Sequence, residues 1–297
     1  VHIGDVHQDT VALDRILQNS LDIDKNNVID DYICTGDMVN YKGEPIESWW
    51  PGSILTTIGN HDACAYNENN QTYTWSALSM QDKYDYYIKP FLEGGSAVLT
   101  TNKSYYYVDY SAKKIRLIVL DCTDPTFAST DSDQYQWLDN LLNTNYHILI
   151  ATHAPYSAAV PVDCAFSKYG EASSPSTSTD CDIPQIVVSR INTLIRQNNI
   201  NFIGYIASHT HQDGIWDCTG DGSQLIYTVT CACTSEPSRW DSSDQYRDET
   251  LDAYNIITID TNKNLIKIVR CGGADIDCYL RKRESICINY KTKTIVS

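Results

Sequence analysis

Five short segments of this 297-residue chain hold residue types that bind divalent cations: Gly4-Asp5-Val6-His7, Gly36-Asp37, Gly59-Asn60-His61-Asp62, Thr152-His153-Ala154 and Ser208-His209-Thr210-His211. Carboxylate, imidazole and amide oxygen suit zinc, manganese and iron. Asp5 and His7 are two positions apart, as are His209 and His211. On an extended backbone that spacing points both side chains the same way. One pair from each end of the core can then grip a single cluster. Asp37 is the lone carboxylate of its segment, and its two oxygens make it a natural bridge between two ions. Of the 7 histidines, only His2 and His147 lie outside these segments. One histidine at a strand end is usually structural, and one Gly-Asp means little. Five such segments, each following an apolar strand-like run, carry the reading together.

The elements that must position them alternate at first between strand and helix. Strands are expected at Val1–Ile3, Asp31–Thr35, Ile54–Ile58, Ser104–Tyr110, Ile115–Leu120, His147–Thr152 and Phe202–Ser208. Helices are expected at Thr10–Asn19, Gln81–Phe91, Asp133–Leu142 and Pro184–Gln197, the last with proline near its start. Leu225–Cys231, Tyr254–Asp260, Leu265–Arg270 and Ser285–Tyr290 then follow as strands with few helices between them. This order predicts an α/β protein of two packed sheets with helices outside, as one domain over residues 1–297. The Ser-, Thr- and Pro-rich stretch at about 157–182 follows His153 directly and reads as an insert or lid loop.

The net charge is −16. A protein that grips duplex nucleic acid normally carries a basic stripe, and none is visible, so no such partner is expected. The cluster Arg281-Lys282-Arg283 is followed at once by Glu284 and reads as a solvated turn. Anionic small molecules remain compatible, because bound cations reverse the local field. No run reaches the length of a membrane span. There are 11 cysteines and no C-x-x-C pair, which argues against a structural zinc site. Cys34, Cys122, Cys231 and Cys287 read as small buried hydrophobes. Cys164 and Cys181 bracket the polar loop and could pair in an oxidising compartment. Asp22-Ile23-Asp24 imitates a calcium loop, but the twelfth position is Ile33, not Glu.

The five segments, in this order, resemble the calcineurin-like metallophosphoesterases, whose pattern runs Asp-x-His, Gly-Asp, Gly-Asn-His-Asp/Glu, His, Gly-His-x-His. The likeness reaches from residue 4 to residue 211. It implies a four-layer α/β/β/α sandwich of two mixed sheets flanked by helices. It implies that Asp5, His7, Asp37 and His211 hold one divalent metal ion (manganese, zinc or iron), and that Asp37, Asn60, His153 and His209 hold a second. It implies a catalytic role for His61 toward the phosphate of a small mono- or diester, with Asp62 orienting it. A water shared by the two ions would be the nucleophile. Ser208 departs from the usual glycine, and being small it should leave the site intact. Asn40 stands where purple acid phosphatases have a tyrosine ligand, which disfavours that branch. The Tyr254–Asp275 stretch also resembles the tail of phosphoesterase domains of bacterial and phage type, which is compatible with a place in a virion or surface assembly. In that setting the competing expectation is a module that keeps the fold without turnover; the presence of both His61 and Asp62 argues against it.

Overall fold

The structure is a computed structural model that describes residues 1–7, 9–23, 29–39, 50, 54–67, 69, 72–74, 77–156, 160–163, 181–209, 214–218, 227–230, 253–271 and 285–296. His211, Cys164, Asn40, the calcium-like stretch from Asp24 to Val28 and the basic cluster at 281–283 lie outside these residues.

Two mixed sheets form the frame. In the first, the strands lie in the order Thr294–Ile295, Ser285–Asn289, Leu265–Cys271, Tyr254–Asp260, His2–Ile3, Tyr32–Cys34 and Ile54–Thr56. The last three run parallel, and the C-terminal strands join antiparallel to them through the pairing of His2 with Asn255. In the second, the order is Val160–Asp163, Gly214–Asp217, Tyr227–Thr230, Asn201–Ala207, His147–Ala151, Ile115–Val119, Tyr106–Tyr110 and Ala97–Leu99. Its centre is parallel: His147–Ala151 pairs with Ile115–Val119 on one side and Asn201–Ala207 on the other. A small hairpin, Ala65–Asn67 with Thr72–Thr74, stands apart.

The two-residue period of a strand explains the layering. Along Ile115–Val119 and His147–Ala151, Leu117, Val119, Leu149 and Ala151 face the core shared with the first sheet. The alternate residues Ile118, Ile148 and Ile150 face a second core, where Leu138 and Leu142 of helix Asp133–Leu142 meet Val187, Val188, Ile191 and Leu194 of helix Gln185–Arg196. Each such aliphatic side chain contributes roughly 1.5–3 kcal/mol on burial. Ser132 caps the first of these helices by accepting the Tyr135 N–H. Helix Thr10–Ile23 sends Leu13 and Ile16 into the first core. The molecule is thus the α/β sandwich of two mixed sheets that the sequence pattern predicts.

Three elements differ from expectation. The Tyr-rich helix is broken into Met80–Lys83, a π-helical turn Tyr84–Ile88, and Lys89–Leu92, where Pro90 restarts it. Tyr84 and Tyr87 are buried. Within the expected polar loop, Val160–Asp163 is a strand at the edge of the second sheet. Cys34 and Cys122 are buried as expected, whereas Cys287 is only half-buried, because its strand alternates between core and surface.

A buried ion pair pins the broken helix to the second sheet. Lys83 Nζ donates to Asp121 Oδ2 at 2.8 Å and to Thr123 Oγ1 at 2.7 Å, and both charged side chains are almost wholly buried. Ser104 Oγ and Thr123 N donate to the same carboxylate. Burial alone would raise the Asp121 carboxyl, but the Lys83 charge and the hydrogen bonds from Lys83, Ser104 and Thr123 together hold it below its usual value. Replacing Asp121 with Ala leaves the Lys83 charge buried and uncompensated, at an expected cost of about 3–5 kcal/mol in urea unfolding near neutral pH. A carboxylate whose folded-state pKa is depressed stabilises fully above the unfolded value near 3.8 and loses that contribution as pH falls through the folded pKa. The gap between wild type and Asp121→Ala should therefore narrow below about pH 4; a gap independent of pH would show the pair contributes nothing.

Candidate metal centre

Every sequence-predicted segment within the described residues sits just past the carboxyl end of a parallel strand, where sites assemble in open α/β sheets. Asp5 and His7 follow His2–Ile3, Asp37 follows Tyr32–Cys34, and Asn60, His61 and Asp62 follow Ile54–Thr56. From the other sheet, His153 follows His147–Ala151 and His209 follows Asn201–Ala207. The site therefore lies on the seam between the sheets. His209 N–H donates to both oxygens of Asp5, 3.2 and 3.1 Å away, across that seam.

The loops turn sharply. Asp5, His7, Asp37 and His209 have φ of 51°, 48°, 54° and 64°, left-handed values that cost a non-glycine residue free energy. Such conformations persist only where the surroundings over-determine them. Here Asp5 N–H donates to Gly36 O and His7 N–H to Asp37 O, tying the two loops together. Gly36 has φ of 94°, and a Cβ there would come within 2.7 Å of His153 Nδ1. Ser208 fits because Gly4 makes room: a Cβ on Gly4 would lie 2.4 Å from that of Ser208. Ser208 Oγ donates to Thr35 O at 2.8 Å.

Ligand atoms converge in overlapping groups. Those of Asp5, Asp37 and His153 lie within 4.8 Å of one another, and so do those of His7, Asp37 and His61. Asp37 belongs to both groups. Its Oδ2 lies 3.3 Å from His153 Nε2 and 3.8 Å from His61 Nε2, while Oδ1 accepts the His61 backbone N–H at 2.9 Å. His153 Nε2 also faces Asn60 Oδ1 at 2.9 Å and His209 Nδ1 at 3.1 Å. His7 and His61 meet edge to face with ring centroids 4.6 Å apart.

The chemistry of this donor set fits a cation. The other nitrogen of His153, Nδ1, lies 2.7 Å from the Thr35 carbonyl and donates its proton there. In the neutral ring Nε2 is then a lone-pair donor. It faces an amide oxygen and a carboxylate oxygen, which are lone-pair donors too. Positive charge between them removes the repulsion. Without an ion that charge falls to a proton: burial pushes the His153 pKa down, but Asp37 and Asp5 outweigh it and raise it to about 10. Burial would raise the Asp37 carboxyl, but His153, with His61 and His7, holds it ionised well below the usual carboxylate range.

Asp62 lies beneath the cluster and spends its carboxylate on the backbone. Its oxygens accept N–H groups from Asp37, Met38, Val39 and Gly59 at 2.8–3.0 Å. It therefore fastens the Asp37 loop to the loop that carries Asn60 and His61. Burial and the charge of Asp37 push its carboxyl up to about 7, against the pull of these amides. Tyr87 Oη donates to the Asp62 carbonyl, so the π-helical turn also supports this loop. Cys181, expected only as a disulfide candidate, is wholly buried beside His153 and His209. Nothing in the local sequence marks it, because it reaches the site across long chain separations.

Residues 1–213 match the family model described as calcineurin-like phosphoesterase. Among solved structures, a dimetal phosphatase from Danio rerio superposes with a TM-score of 0.52 at 11% identity, covering 97% of this chain and 98% of that one. A conserved protein of Streptococcus pneumoniae described as a predicted phosphoesterase gives a TM-score of 0.37 at 10% identity, covering 92% and 87%. No curated protein matches the chain in sequence.

Proposed function

Because the chain belongs to the calcineurin-like phosphoesterase family, in which its general character as a metal-dependent phosphoesterase is grounded, we propose that it hydrolyses small phosphate mono- or diesters at a dinuclear metal centre. The observation that supports this most directly is the place of Asp37 in two converging groups of ligand atoms. Asp5, His7 and Asp37, with His211, would hold one ion; Asp37, Asn60, His153 and His209 would hold the other. The donor types are compatible with manganese, zinc or iron.

Two divalent ions held this way would supply a water activated near neutral pH and would neutralise charge on the phosphate oxygens. The protein's own groups do the rest. The Thr35 carbonyl fixes the tautomer of His153 so that Nε2 stays a lone-pair donor. Asp62 holds the two loops at a fixed spacing, so the ligands need not reorganise during turnover. His61 is assigned to the phosphate: as an imidazolium it would stabilise developing charge or protonate the leaving oxygen. A single domain over residues 1–297, with an insert or lid loop at about 157–182, is part of the same proposal. Among the described residues no helix is long and apolar enough to cross a membrane.

The test is turnover of p-nitrophenyl phosphate and bis-p-nitrophenyl phosphate by protein stripped of metal and reloaded with manganese, zinc or iron. Metal-dependent release of nitrophenol is expected, and the ratio of the two rates separates monoesterase from diesterase. Two bound ions without hydrolysis of either ester would remove the catalytic reading in favour of a module that keeps the fold alone.

A further inference from the structure

Cys181 has no part in the ligand set described so far, yet it stands inside it. Its Sγ lies 3.8 Å from Nε2 and 3.9 Å from Nδ1 of His209, and 4.0 Å from Asn60 Oδ1. The ligand atoms of His153, Cys181 and His209 all fall within 4.8 Å of one another. Two imidazole nitrogens, an amide oxygen and a sulfur thus surround one small volume. A tetrahedral centre with bonds of about 2.3 Å to sulfur and about 2.0–2.1 Å to nitrogen sets sulfur and nitrogen about 3.6 Å apart and two nitrogens about 3.3 Å apart. With His209 Nδ1 as the ligand atom, the observed 3.9 Å to sulfur and 3.1 Å to His153 Nε2 lie close to those values.

We propose that Cys181 is a thiolate ligand of the metal position formed by Asn60, His153 and His209, and that it makes this position prefer zinc or ferrous iron to magnesium or manganese. The inference rests on the dinuclear reading above. A soft sulfur donor selects softer ions, whereas carboxylate and amide oxygens alone leave manganese competitive. When the ion binds, the S–H bond breaks, its proton passes to solvent and the sulfur–metal bond forms. The surroundings suit that role. Cys181 packs with Ala154 and Cys122 in a small buried cluster. Ligand sulfurs are commonly oriented by such neighbours. At the other metal position, the group of His7, Asp37 and His61 contains no described cysteine, so the two positions would differ in softness.

The test loads stripped, reduced protein with two equivalents of cobalt(II) and records the near-ultraviolet spectrum, where a thiolate-to-cobalt charge-transfer band is diagnostic. The band is expected in wild type and in Cys122→Ala. It should be absent in Cys181→Ser, which should still hold two ions but bind zinc at least roughly 10–100-fold more weakly. Two bound cobalt ions without the band in wild type would overturn the Cys181 assignment and leave the dinuclear reading standing. Failure to bind two ions would overturn the dinuclear reading and this inference with it. A band that survives in Cys181→Ser would place the thiolate elsewhere and also overturn the proposal. Should Cys181→Ser fail to fold, X-ray absorption of the zinc-loaded wild type decides. A sulfur at about 2.3 Å, averaging about half a sulfur per zinc, supports the assignment, and a shell of nitrogen and oxygen alone overturns it.

Discussion

Asp37→Ala protein should lose both metal ions and turn over phosphate esters about 10³–10⁴-fold more slowly, the rate equivalent of several kcal/mol of charge stabilisation. Asp37 is buried, and its two oxygens look in different directions: Oδ2 toward His153 and His61, Oδ1 toward the His61 amide. Alanine removes a donor at once from both groups of ligand atoms that contain Asp37. It also releases the His61 amide, so the loop bearing Asn60 loses an anchor. Each ion would then depend on an incomplete set on a loosened support. Metal analysis by mass spectrometry beside the esterase assay checks this, and retention of both ions would sink the bridging role.

His61→Ala is expected to behave differently. Metal content should stay at the wild-type value while turnover falls by roughly 10²–10⁴-fold, the usual range for a group that moves a proton or meets charge in the transition state. The contrast matters because His61 Nε2 stands only 3.8 Å from Asp37 Oδ2, within the spacing that ligands show. Geometry alone is therefore compatible with His61 as a ligand. Loss of one ion in this variant would move His61 into the metal shell. Unchanged turnover with both ions retained would take it out of the mechanism altogether.

Much of this was legible in the chain itself. The β-branched runs around Ile33, Ile118, Ile150 and Ile206 mark buried parallel strands, and the segments carrying Asp5, Asp37, Asn60, His153 and His209 follow such strands directly. Periodicity reports what a strand does, and a strand's end dictates where its loop must begin. What escaped depends on partners far away. Lys83 and Asp121 are 38 positions apart, and nothing near either one announces the other. The use of Asp62 as a four-amide clamp is set by how two loops lie side by side, not by its neighbour His61. The strand Val160–Asp163 is short, contains Pro161 and gains its identity only from pairing with Gly214–Asp217. Cys181 reaches Asn60 across 121 positions. The left-handed backbone at Asp5, His7, Asp37 and His209 is likewise invisible in a string of residue types.

The hydrogen bonds from His209 to Asp5 span 204 positions and bind the two sheets at their seam. This has a consequence for synthesis. A growing chain holds the Asp5, Asp37 and Asn60 donors early, but the pocket stays half-built until His209 has emerged and the second sheet has docked. No product ending before that residue can close the centre. On the proposed reading, an occupied site would report that the two sheets have met.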